Sequence, residues 1–118
     1  MTVKDIEGEY TIIGTNQNNS DNNYKGTLTL TVDEYNRVKA KWLIHNEQKQ
    51  IGYGFFKDNI LVINFKYRGN EDEIFSGVVV YKCLSKDTLD GFWSEDLGDP
   101  NYLGQEQCFR VGSNTNIN

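Results

Sequence analysis

Eight short segments rich in β-branched and aromatic residues, several of them with two-residue alternation of apolar and polar side chains, recur along this chain and confine the fold to β-structure. The clearest segment holds Tyr24, Gly26, Leu28, Leu30 and Val32 on one face and Lys25, Thr27, Thr29 and Thr31 on the other. The remaining seven cover residues 8–15, 37–45, 50–57, 60–67, 74–83, 89–94 and 102–110. Most links between them are short and rich in Asn, Asp and Gly, the residues that tolerate tight turns. A longer polar loop occupies residues 16–23, an acidic one residues 68–73, and residues 95–101 carry Pro100, the only proline.

One segment admits two readings. Asp33 is placed to cap a helix running toward Lys49, and Glu, Lys, Ala and Leu are good helix formers. Val38, Ala40, Trp42 and Ile44 nevertheless keep a period of two, with Arg37, Lys39 and Lys41 between them, which predicts a strand. Eight strands with hairpin-length links and no convincing helix predict an all-β, antiparallel, up-and-down barrel. Closure removes the two exposed edges that an open sheet would leave. Residues 1–110 form one domain on this reading, and the polar residues 111–118 form a flexible tail.

Glycines recur beside rings along these strands: Gly8 with Tyr10, Tyr24 with Gly26, Gly52 and Gly54 around Tyr53, Gly77 before Tyr81 and Gly91 before Trp93; on the last strand Gly104 precedes Glu106. Glycine inside a strand relieves strain where the strand coils and leaves room opposite a bulky ring. Taken together, G-x-Y, Y-x-G, a Trp on the third strand, G-x-G, G-V-V-V-Y, L-x-G-x-W and G-x-E resemble the small bacterial calycin-like barrels, which are avidin-like and lipocalin-like in architecture and of unknown function. The likeness extends over residues 8–110. It implies an eight-stranded meander and places the polar loop after the first strand where an avidin-type lid would lie. It does not imply biotin, because the avidin ligand set has no residue-by-residue match.

Charge and cysteine content exclude several functions. The formal net charge is −5, and the basic residues are scattered, so nucleic acid and anionic membrane surfaces are not expected partners. No stretch approaches the roughly 20 apolar residues of a spanning helix, and residues 1–7 lack the apolar run of a secretory signal. The chain therefore reads as cytoplasmic. Cys83 and Cys108 are too few for a disulfide framework and lack zinc spacing, and they read as reduced thiols.

The barrel interior is the candidate site. Alternation turns Tyr10, Tyr24, Trp42, Tyr81 and Trp93 inward, and Glu106 with them if Phe109 faces out. Such rings either fill the barrel as core or wall a pocket for a small molecule. Glu106 is then an internal latch, a ligand anchor or a general base; with Phe109 inward it is a solvated charge. His45, the single histidine, reads as a surface residue at a strand end. Asp96, Asp99 and Asn101 lack calcium-loop spacing, and the 71–73 acidic cluster reads as a solvated loop. No phosphate loop, framed serine nucleophile or activated cysteine occurs, so neither enzyme, metal nor cofactor is expected. The expected function is non-enzymatic binding of a small, partly apolar ligand. The alternative is an interaction module with a solid core, acting through an outer face that includes Ile13, Phe55 or Phe56, Val78 and Val80, or as a homo-oligomer.

Overall fold

The structure, a computed structural model, describes residues 1–20 and 22–112. Eight strands follow one another as a closed antiparallel barrel: β1 (Gly8–Thr15), β2 (Asn23–Val32), β3 (Val38–Ile44), β4 (Gln48–Lys57), β5 (Ile60–Arg68), β6 (Ile74–Ser85), β7 (Thr88–Glu95) and β8 (Gly104–Arg110). β8 closes the ring on β1, from Tyr10 opposite Arg110 to Thr15 opposite Gln105. The expected all-β eight-stranded meander is the observed fold, and β3 is a strand. Asp33 caps a turn here: its Oδ1 accepts from the N–H groups of Tyr35 (2.8 Å) and Arg37 (2.9 Å), and Asn36 takes a left-handed conformation. Asp58 and Asn59, both at positive φ, make the two-residue β4–β5 hairpin. That geometry matches the twist of the flanking strands.

Some boundaries differ from the sequence reading. β4 begins two residues earlier, at Gln48, and β7 continues through Glu95. β8 starts at Gly104 rather than Tyr102, because the Tyr102 N–H is turned back onto the Asp99 carbonyl (3.1 Å). The larger difference lies at the N-terminus. Val3–Ile6 forms a 3-10 turn that drives Ile6 fully into the barrel floor. Thr2 and Asp5 cap the turn: the Thr2 N–H donates to Asp5 Oδ2 (2.7 Å). Residues 113–118, most of the predicted tail, lie outside the described residues. Val111 still pairs, its N–H donating to the Glu9 carbonyl (2.8 Å).

The two ends of the barrel are unlike. At the closed end, Ile6 and Tyr10 pack beneath Leu28, Leu30, Val38, Leu61 and Leu89, all essentially inaccessible. Arg110 ties this end together. Its guanidinium donates to the carbonyls of Asp5 (2.7 Å), Glu7 (2.6 Å) and Lys86 (2.8 Å) and to the Tyr10 hydroxyl (2.8 Å), and it lies 4.9 Å from the Tyr10 ring centre. At the opposite end four loops surround an opening, their described residues being 16–20 with 22, 45–47, 69–73 and 96–103.

Candidate functional site

The strand register explains how a carboxyl group comes to lie inside the barrel. On neighbouring strands, Tyr24 pairs with Gly14, Gly14 with Glu106, Glu106 with Gly91, and Gly91 with Tyr81. Glu106 thus has a glycine on each side and a tyrosine one strand beyond each glycine. A β-carbon at Gly14 would overlap the Tyr24 ring, and one at Gly91 the Tyr81 ring. The absence of both lets the phenols lean across and meet the carboxyl group.

The resulting cluster is buried, with Glu106 4% exposed. Tyr24 Oη donates to Glu106 Oε1 (2.7 Å), and Tyr81 Oη donates to Oε2. Trp42 Nε1–H is shared between Oε2 (3.2 Å) and the Tyr81 hydroxyl oxygen (3.3 Å). Trp93 Nε1–H donates to the Tyr24 hydroxyl oxygen (3.0 Å), and Cys108 Sγ lies 3.9 Å from Oε2. Every buried side-chain polar atom among the described residues has a partner. Burial pushes the Glu106 carboxyl above its usual range, while the four hydrogen bonds pull it back in part. The same burial, with the carboxylate beside them, raises the Tyr24 and Tyr81 phenols, so both remain hydroxyl donors.

Above this floor a cavity of about 340 Å³ opens to the loop end. That is near the lower limit of small-molecule sites. Trp42, Phe65, Tyr67 and Trp93 wall it. Phe65 meets Trp42 and Trp93 edge to face, at 6.1 and 6.2 Å between ring centres. Tyr67 stacks on Phe65 and donates to Glu95 Oε1 (2.5 Å). Gln48, Gln50, Asn16 and His45 add polar groups near the mouth.

Of the residues predicted from sequence, Tyr24, Trp42, Tyr81, Trp93 and Glu106 come together at this cavity. Tyr10 does not. It points inward, but at the closed end, where its hydroxyl donates to the Ile6 carbonyl (2.8 Å). Burial raises it to about 12. Phe65, Tyr67, Gln48, Gln50 and Glu95 were not singled out. For all but Glu95 a signal was present: Leu61, Ile63, Phe65 and Tyr67 alternate, and Gly52 carries the same parity back to Gln50 and Gln48. His45 is exposed on the rim, at φ 54°.

Cys83 and Cys108 are buried free thiols. Burial raises Cys83 to about 11 and holds Cys108 well above the usual thiol range, which makes both poor nucleophiles. Among the described residues, no three His, Cys, Asp or Glu side chains converge as a metal site, and no helix is long and apolar enough to cross a membrane. The molecule is thus defined as a closed β-barrel with one open, aromatic-walled end and a buried acid at the cavity floor. Comparison with protein-family models, curated protein sequences and solved structures finds no match to this chain.

Proposed function

We propose that this is a non-enzymatic binding barrel that takes a small, partly apolar ligand through its open end. The observation that carries the reading is the unfilled, aromatic-walled cavity above Glu106. A barrel of eight strands can hold one small ligand, and rings with a few fixed polar groups suit such a role. The groups around Glu106 favour an anchor over a catalyst. It is engaged by two phenols, an indole and a thiol, and no serine, threonine, cysteine or lysine lines the cavity among the described residues. The closed meander also supports membership of the calycin-like barrels, and the two buried free thiols support a reducing, cytoplasmic setting.

The test is titration of a metabolite library, read by the fluorescence of Trp42 and Trp93, which border the cavity. Saturable quenching or a spectral shift is expected. A Gln50→Phe variant, which places a ring in the mouth, should lose it. Silence across the library would overturn the reading.

One observation favours a second reading, an interaction module. Phe55, Val62, Val80 and Phe92 are consecutive cross-strand partners on the outer surface of β4–β7. Phe55 is 57% exposed and Phe92 45%. Of the outer-face candidates read from sequence, Ile13, Phe55 and Val78 are exposed, whereas Phe56 packs against the core. A contiguous apolar row on a water-facing wall is a typical contact surface. Light scattering coupled to gel filtration decides: self-association that Val80→Lys abolishes supports this role, and a strict monomer at high concentration opposes it.

A further inference from the structure

Charge in the cavity is one-sided. Two carboxyl groups line it, Glu95 in the wall and Glu106 at the floor, and neither lysine nor arginine does so among the described residues. The loops at the open end repeat the bias. They carry Glu47, Glu71, Asp72, Glu73, Asp96 and Asp99, and no lysine or arginine among the described residues. Lys25, Lys49 and Arg68 stand on the adjoining ends of β2, β4 and β5, outside the cavity lining, and Arg68 lies 3.7 Å from Asp72. The closed end, by contrast, mixes Lys4, Arg37, Lys86 and Arg110 with its acids.

The floor and walls add two further constraints. The hydrogen-bond donors to Glu106 are all neutral. A buried carboxylate is costly without an opposite charge nearby. The walls present the π-faces and edges of Trp42, Phe65, Tyr67 and Trp93, and aromatic faces attract organic cations. An anion entering here would meet two carboxyl groups and no fixed positive charge. A cation would be drawn in by the rim, held by the rings and neutralised at the acids.

We propose that the barrel binds a small organic amine as its cation, with the apolar body against the aromatic walls and the ammonium group directed to Glu95 and Glu106. This rests on the binding-barrel reading and narrows it to a ligand class.

The experiment compares three ligands of one shape: 2-phenylethylamine, 2-phenylethanol and phenylacetate. Each is titrated into the full chain at neutral pH. Tryptophan emission is followed with excitation at the red edge, where single-ring ligands do not absorb. The amine is expected to bind about tenfold tighter than the alcohol, the scale of one cation–π contact with partial charge pairing, and phenylacetate weakest. Glu95→Gln keeps an oxygen to accept from Tyr67 and removes the charge; it should lower the amine-to-alcohol ratio several-fold. Glu106→Gln should lower it further. If that variant fails to fold, Glu95→Gln alone carries the test. Equal affinity for amine and alcohol, or preference for phenylacetate, overturns the inference and leaves the binding-barrel reading standing. Silence from all three also overturns it, and the binding-barrel reading then depends on the library titration.

Discussion

Trp93 lies against Gly104, its cross-strand partner, so closely that a β-carbon on Gly104 would overlap the indole. The contact fixes the ring that bonds Tyr24 and borders the cavity. Gly104→Ala should therefore destabilise the protein by about 2 kcal/mol, the usual cost of forcing one methyl group into a packed site. It should also change the emission of the displaced Trp93. Denaturant unfolding with fluorescence detection measures both, and an unchanged midpoint would show that the ring has room to move.

The raised carboxyl of Glu106 has a definite sign in stability. Its folded form holds a proton more tightly than its unfolded form, so the contribution is complete below the usual 4.5 and is lost as pH rises through the higher folded value. The groups facing it, Tyr24, Tyr81, Trp42 and Cys108, stay uncharged throughout that range. Asp5 and Asp33 act in the opposite direction: backbone hydrogen bonds hold them below 3.8, so their contributions disappear as pH falls. Subtracting the pH–stability curve of Glu106→Gln from that of the parent should leave a downward slope above 4.5. A flat difference would place the carboxyl at its ordinary value.

Arg110 joins the N-terminal turn, the β6–β7 hairpin and the last strand through one planar group. Its side chain is 19% exposed and also lies 3.2 Å from Asp87. Arg110→Ala should cost about 3 kcal/mol, since hydrogen bonds to a charged group are each worth roughly 1.5–3 and several carbonyls lose a donor together. Arg110→Lys should recover only part, because an ammonium cannot bond in several directions within one plane. Thermal unfolding of the two variants checks the order, and hydrogen exchange near Ile6 should quicken in both.

The cysteines offer a test of burial. Cys83 and Cys108 are 4% and 0% exposed, with thiols raised by burial. A chromogenic disulfide reagent should modify both at the rate of unfolding in buffer and at once in denaturant. Fast labelling of either thiol in the folded protein would contradict the packing around Leu89, which pairs with both residues.

The strands were legible because alternation is a local property. Tyr24 to Val32 declares its two faces whatever it packs against, and the same parity turned Trp42 and Trp93 inward. The identity of Glu106 as an interior residue was half legible, since it depended on which way Phe109 faced. The structure turns Phe109 outward enough that Gly104, Glu106 and Cys108 are the buried set. The 3-10 turn was missed because its driving force is tertiary: Ile6 has no periodic partner in sequence and gains its burial only against a closed barrel floor. Glu95 reads as a loop residue from sequence for a similar reason. Its strand pairing with Gly77 and the bond from Tyr67 come from chain segments far away in sequence.

By itself the sequence determined the period of two, the short Asn-, Asp- and Gly-rich links, and the recurrence of glycines beside rings. Those follow from steric and hydrophobic preferences that act over a few residues. Only the tertiary structure decided the register between strands. Register set Tyr24, Gly14, Glu106, Gly91 and Tyr81 in one row, sent Tyr10 to the closed end with Arg110, and left the space above Glu106 open. The reason is physical: a slip of one residue would turn every side chain to the opposite face, and no local segment carries the energy that forbids it.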